Sequence, residues 1–304
     1  MPKTAKSVAL VKDNFQNFLF VLPAFAIFAT FYIYPFIEMF SLSLHEWKGI
    51  GPKHFVGLAN FQELMGDTIW WDSMGHAFYI TLIALTFQNA LAFALALACD
   101  REIRMKRFYR VVFFIPPVLS EVVVGIIWNW ILDPGVQNGT HIGFLNHLLY
   151  TSGLPQLVHN WLGDPKTALT TIAIVHSWKG FGWGFIMLLA GLQTIDKQLY
   201  EAAKVDGAGS WKTFTNVTIP MMLPVILVVI ILTILGSMQV FVLIISMVGK
   251  GLVFHTEVPV TRILSSMSGT NRFGYACAQA VIFGAILVCV SFVVKKLSDK
   301  AKQV

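Results

Sequence analysis

Apolar residues run through this chain in long blocks separated by short polar connectors. Six blocks reach the roughly 20 residues that a spanning helix needs. They cover about 16–40, 74–98, 111–132, 167–192, 221–248 and 274–294. The first comes after Lys3, Lys6 and Lys12 and is longer than a leader's apolar region. It contains Pro23 and Pro35 and ends in no small-residue cleavage site, so the pattern predicts a retained span. No internal repeat, low-complexity tract or soluble domain interrupts the series. The expectation is an all-α polytopic membrane protein of six transmembrane helices, with residues 1–304 forming one membrane domain.

Composition agrees with the pattern. Of 304 residues 56% are hydrophobic and 12% charged, against about 25% charged in soluble domains. The mean hydropathy is +0.68. The net charge of +6 is spread over connectors instead of gathered on one face, which argues against a nucleic-acid partner. Fifteen Lys and Arg residues fall in the N-terminal tail, the 100–110 and 194–215 connectors and the C-terminal tail. Six fall in the other three connectors, and Lys179 lies inside a block. By the positive-inside rule both termini are cytoplasmic. Trp70, Trp71, Trp128 and Trp130 suit an interfacial aromatic belt. Cys99, Cys277 and Cys289 lack metal-ligand spacing and read as free thiols.

Several chemistries are missing. There is no G-x-x-x-x-G-K-[ST] loop for nucleotide phosphates, no G-x-G-x-x-G after a strand and no H-E-x-x-H. No histidine pair has ligand spacing. These absences predict no catalytic residues, no metal and no cofactor on this chain.

The 194–220 connector is the most informative segment. Asp196 or Thr194 can cap a helix running through Lys204. Asp206-Gly207 ends it, because Gly207 can adopt the left-handed conformation. Ser210 can cap a second short helix, and Pro220 and Pro224 mark entry to the next span. Ala202, Ala203 and Ala208 form a small-residue face beside the charge of Glu201. That face suits close approach by a soluble partner, or it belongs to an interfacial helix that merely links two spans.

Polar side chains inside spans are costly and usually face a wet cavity or the bundle interior. His176, Lys179, Gly180 and Trp183 share one face of the fourth span. Glu121, Gly125, Trp128 and Asn129 share one of the third. The second offers Thr81 and Gln88, seven apart, and the fifth Thr233, Gly236 and Ser237. Counted from their span starts, Glu121 and Lys179 lie roughly 15–18 Å deep, near mid-membrane. Either they pair or hydrogen-bond substrate along a translocation path, or they form a structural ion pair between helices. Trp183 can stack on the apolar face of a sugar or serve ordinary packing through a G-x-x-x-G surface. Thr233 and Ser237 can line the path or bond their own backbone.

Glu201-Ala202-Ala203, Asp206-Gly207-Ala208, Phe214, Ile219-Pro220 and Pro224 together resemble the EAA loop of ABC importer permeases. Phe55-Val56-Gly57-Leu58-Ala59-Asn60-Phe61, Ile115-Pro116-Pro117, Trp128-Asn129-Trp130-Ile131-Leu132-Asp133-Pro134 and Gly143-Phe144-Leu145-Asn146 are similar to segments of its sugar-importing branch. The segment order resembles the first permease of a maltose-type pair, without that subunit's extra N-terminal spans and large periplasmic insertion. The resemblance implies a type I importer permease fold in a bacterial or archaeal inner membrane. It implies four kinds of partner: a second homologous permease, a dimer of ATPase subunits that binds ATP and Mg, an extracytoplasmic solute-binding protein, and a sugar or oligosaccharide. Membrane lipid surrounds the chain. Glu201, Ala202, Ala203, Asp206 and Gly207 become the ATPase-coupling residues. The path candidates are Glu121, Asn129, His176, Lys179, Gly180, Trp183, Thr233 and Ser237. A polyol or glycerol phosphate is the alternative cargo. A self-sufficient secondary transporter is the alternative class, but it predicts inverted repeats and broken helices that the sequence does not display.

Overall fold

The structure, a computed structural model, describes residues 20–102, 104–137, 139–249 and 255–301. Residues 16–19 of the first predicted span, and Lys3, Lys6 and Lys12, lie outside the described residues. In chain order the helices are α1 (Phe20–Ser43), α2 (Ala59–Gly66), α3 (Thr68–Asp100), α4 (Lys106–Val118), α5 (Glu121–Ile131) and α6 (Phe144–Thr151). Next come α7 (Ala168–Leu192), α8 (Lys197–Val205), α9 (Ser210–Met238), α10 (Val242–Val248), α11 (Pro259–Ser268) and α12 (Phe273–Ala301). Two hairpins, β1 (His45–Glu46) with β2 (His54–Phe55) and β3 (Val136–Gln137) with β4 (Thr140–His141), are antiparallel. Among the described residues, five helices are long and apolar enough to cross a membrane, and the α4–α5 pair makes a sixth if counted as one broken span.

The described residues form two compact units. One comprises the residues up to Gly66 with Ile263–Ile282. Here α1 displays Phe25, Phe28, Phe31 and Phe36 outward. With lipid as solvent this costs nothing, since tails are as apolar as the side chains. Asn60 of α2 holds the end of α1, its amide donating to the Ser43 and His45 carbonyls at 2.9 and 3.0 Å. Arg272 grips Glu63 through two N–H donors, one at 2.7 Å.

The other unit comprises Asp67–Arg262 with the described part of 283–304. Its central helix is α7. Ile172, Ala173 and Val175 pack with Ile80, Val124, Leu243 and Met247. Phe181, Phe185 and Leu188 pack with Ala92, Ala96, Met222 and Val229. Glycines allow close helix approach. A Cβ on Gly182 would sit 2.6 Å from Pro117 Cγ. One on Gly125 would strike the Ser246 side chain of α10.

Several expected boundaries move. The third span is not continuous: α4 and α5 meet at 95°. Pro116 and Pro117 remove two backbone donors, and Leu119 and Ser120 are extended, with ψ of 140° and 139°. Glu121 is therefore the first residue of α5, where the helix dipole favours an anion, and its depth cannot be counted from residue 111. The expectation of unbroken helices fails here. The fifth span starts earlier than expected, at Ser210, and ends at Met238, with α10 a separate helix. Ser210 is not the cap of a second short helix. Gly209 takes the cap position, and Ser210 opens the long α9. The second span starts at Thr68, capped by Asp67 accepting the Trp70 N–H at 3.1 Å. Trp70 is fully buried, so it does not belong to an aromatic belt. The three cysteines are free.

Candidate functional site

Two places collect the polar chemistry, both within the second unit. The first is a cavity of about 290 Å³ opening beside α7. From α7 come His176, Lys179, Gly180 and Trp183, from α5 Glu121, from α9 Thr233 and Ser237, and from α3 Gln88. The structure thus brings together seven of the eight predicted path residues. The eighth, Asn129, is elsewhere: its amide donates to the Met247 carbonyl, satisfying the last turn of α10.

The cavity's polar groups are mostly paired. Lys179 Nζ lies 3.7 Å from Glu121 Oε1, with the lysine 15% and the glutamate 39% exposed. The break before α5 brings Glu121 to this position. His176 Nε2 is 3.3 Å from Ser237 Oγ. Thr233 donates to Asn89 Oδ1 at 3.0 Å and not to its own helix. Trp183 is 59% exposed and meets Phe114 edge to face at 5.3 Å. Such a site is electrically neutral overall, rich in donors and acceptors and floored by one indole, which suits an uncharged polyhydroxylated ligand.

The sequence offers Gln88 as a polar residue of the second span without placing it among the path candidates, and gives no sign of Asn89. It also pairs Gln88 with Thr81 by their seven-residue spacing. A π-helical turn, Ala84–Gln88, lies between them. Its extra residue rotates the downstream part of α3 by about 100°. Thr81 is consequently buried and donates to the Ala77 carbonyl at 2.8 Å, while Gln88 lines the cavity.

The second place is the 194–218 segment. Asp196 caps α8, accepting the Gln198 N–H at 2.9 Å. At the far end Gly207 has φ +74°, the Gly207 N–H reaches the Lys204 carbonyl at 3.1 Å, and the Ala208 N–H reaches that of Ala203 at 2.9 Å. These bonds close the helix by the left-handed glycine device. Tyr200 and Thr218 hydroxyls, 3.2 Å apart, tie α8 to α9. Ala203 is buried against this chain, whereas Glu201, Ala202, Asp206 and Gly207 are exposed. Beside them Val205 and Trp211 are 87% and 74% exposed. Sequence reading gave these two apolar side chains no role. Their signal is two large apolar residues flanking the small and polar Asp206–Ser210 turn.

On the side of α7's N-terminus, Asn146 is fully buried and accepts the Trp161 indole N–H at 2.8 Å. A Cβ on Gly143 would strike the Asp133 carbonyl. This accounts structurally for the Gly143–Asn146 segment. Glu257 is buried 3.5 Å from Arg262, which lies 4.0 Å from Asp67.

The family described as "binding-protein-dependent transport system inner membrane component" matches residues 88–303. Among curated proteins, the chain is 31% identical to the probable ABC transporter permease protein YurN of Bacillus subtilis, over 94% of this chain and 97% of that one. It is 27% identical to the probable starch degradation products transport system permease protein AmyD of Thermoanaerobacterium thermosulfurigenes, over 97% and 98%. It is 32% identical to the lactose transport system permease protein LacF of Rhizobium radiobacter, over 79% and 78%. Among solved structures, a chain of a bacterial alginate ABC transporter, in complex with an alginate pentasaccharide-bound periplasmic protein, superposes with a TM-score of 0.81 at 22% identity over 96% of both chains. That last likeness concerns the fold.

Proposed function

Because the chain belongs to the family of binding-protein-dependent transport system inner membrane components, we propose that it forms half of the translocation path of an ATP-driven importer for a sugar or oligosaccharide. It is an integral inner-membrane permease subunit, a transport component and not an enzyme. Membership implies ATPase and solute-binding partners. Both termini are cytoplasmic, and residues 1–304 act as one permease domain. A second, similar permease completes the path. A dimer of ATPase subunits holds ATP and Mg and seats the exposed face of α8, with Glu201, Ala202, Asp206 and Gly207 at the contact and Ala203 anchoring it. A solute-binding protein delivers cargo on the opposite side. Nucleotide-driven closure then rocks the permeases between outward- and inward-facing states.

One observation carries the reading: a charge-neutral cavity lined by Glu121, His176, Lys179, Trp183, Thr233 and Ser237 inside otherwise apolar helices. Buried polar groups in lipid are expensive and mark pathways. AmyD and LacF are named for starch degradation products and for lactose, and similar cargo suits this cavity. A tagged chain purified in mild detergent should bring along an ATPase and a second six-span protein in fixed ratio. A chain that purifies alone, and whose Gly207→Pro variant transports normally, contradicts the proposal.

A further inference from the structure

Five of the six polar side chains in the cavity already have partners within the chain. Glu121 pairs with Lys179, His176 with Ser237, and Thr233 with Asn89. Gln88 is the sixth. It is more than nine-tenths buried, and its Oε1 has no hydrogen-bond partner among the described residues. A buried acceptor left unmade is costly, so its persistence calls for an explanation.

Two features hold Gln88 in this position. The π-helical turn Ala84–Gln88 ends on it and sets the direction of its side chain; such turns recur at functional sites. Opposite, Gly180 supplies the room. A Cβ there would lie 2.6 Å from Gln88 Oε1 and 2.8 Å from its Cδ. The carboxamide therefore occupies the space a side chain at 180 would fill. Gly180 sits between Lys179 and the exposed indole of Trp183, so the acceptor, the ion pair and the aromatic face are neighbours in one cavity.

We propose that Gln88 is a specificity-determining residue of the path: its carboxamide receives one hydroxyl of the passing saccharide while that sugar's apolar face lies on Trp183, and Gly180 keeps the place open for it. This rests on the sugar-importer reading above. The other polar pairs can stay closed during passage, because they satisfy each other. Gln88 Oε1 is completed by the cargo. Loss of a cargo hydroxyl leaves its acceptor bare, which is how a hydrogen-bonding site rejects an analogue lacking that group.

The test uses the whole transporter, co-purified from its own cells and placed in vesicles. Uptake of radiolabelled maltose, lactose and cellobiose is measured, and then that of the monodeoxy forms of whichever is carried. Wild type should lose about tenfold in rate for one deoxy form, the effect of one hydrogen bond. Gln88→Met should lose about tenfold for the parent sugar and show no further loss for that same deoxy form. The same binding protein serves both proteins, so its own selectivity cancels. Gly180→Ala, which favours the helix yet displaces the carboxamide, should flatten the deoxy profile in the same way and keeps the test decisive if Gln88→Met fails to assemble. A variant whose rates fall equally for every sugar, with the deoxy profile retained, assigns Gln88 a structural role and overturns this inference alone. A wild-type transporter that carries none of the saccharides overturns the sugar reading and this inference with it.

Discussion

Removing one charge of the Glu121–Lys179 pair should destabilise the assembled protein in an asymmetric way. At 3.7 Å, two unit charges attract by about 4.5 kcal/mol if the effective dielectric constant is ~20. Water reaches the glutamate, which is 39% exposed, and screens the pair. Fully exposed pairs measure about 1 kcal/mol or less, whereas stripping a buried charge of its partner costs about 3–5 kcal/mol. A half-buried pair lies between, at about 2 kcal/mol. Glu121→Gln leaves the 15% exposed lysine alone and should cost more than Lys179→Met, which leaves the better-hydrated glutamate alone. The double variant should cost about 1–2 kcal/mol less than the sum of the two singles. Thermal unfolding of the detergent-purified complex, monitored for all four proteins, measures this. Additivity within about 0.5 kcal/mol would refute the pairing, and equal single costs would refute the burial argument.

Other substitutions have equally definite outcomes. Arg262→Ala strands the buried Glu257 beside no cation at 3.5 Å and should cost about 3 kcal/mol, with Glu257→Gln/Arg262→Met milder, read in the same unfolding assay. Gly207→Ala forces a side chain into φ +74° and should cost about 1 kcal/mol. It should also weaken retention of the ATPase in a pull-down more than Lys204→Ala does. Gly125→Leu collides with Ser246 and the Leu243 carbonyl and should cost at least about 1–3 kcal/mol by overpacking, whereas Gly75→Ala, with open space around it inside α3, should stabilise by up to about 1 kcal/mol. Asp164 accepts the Lys166 N–H at 2.9 Å and sits 2.9 Å from His159 Nε2. The backbone bond chiefly, then His159, holds its pKa below the usual carboxylate value. A depressed pKa stabilises above the unfolded value, about 4, and that support is lost as pH falls through the folded one. Hydrogen exchange of residues 159–167 should therefore accelerate only below about pH 4, and Asp164→Asn should abolish that step.

The run lengths of apolar residues were enough to place five spans, because lipid demands long uninterrupted helices. The capping grammar of 196–207 was equally legible, since Asp196 and Gly207 act through local backbone geometry. The features that escaped were set by geometry that leaves no trace in hydropathy. The 95° break after Val118 hides inside an apolar run whose two prolines are each tolerable in a spanning helix. The π turn before Asn89 shifts the helical phase by one residue without changing composition, so Gln88 was put on the face of Thr81. Asn129 shares the helical face of Glu121 in sequence, yet the separate α10 claims its amide. The polar stripe of α7 was legible because that helix is regular over all 25 residues.

The most direct test of the central claim is solute uptake by vesicles containing this chain with its co-purified partners, with ATP enclosed or withheld. The account predicts saccharide accumulation that requires ATP and the solute-binding protein, and that disappears when the ATPase is left out. Accumulation by this chain alone, driven by an ion gradient with no nucleotide present, would contradict it.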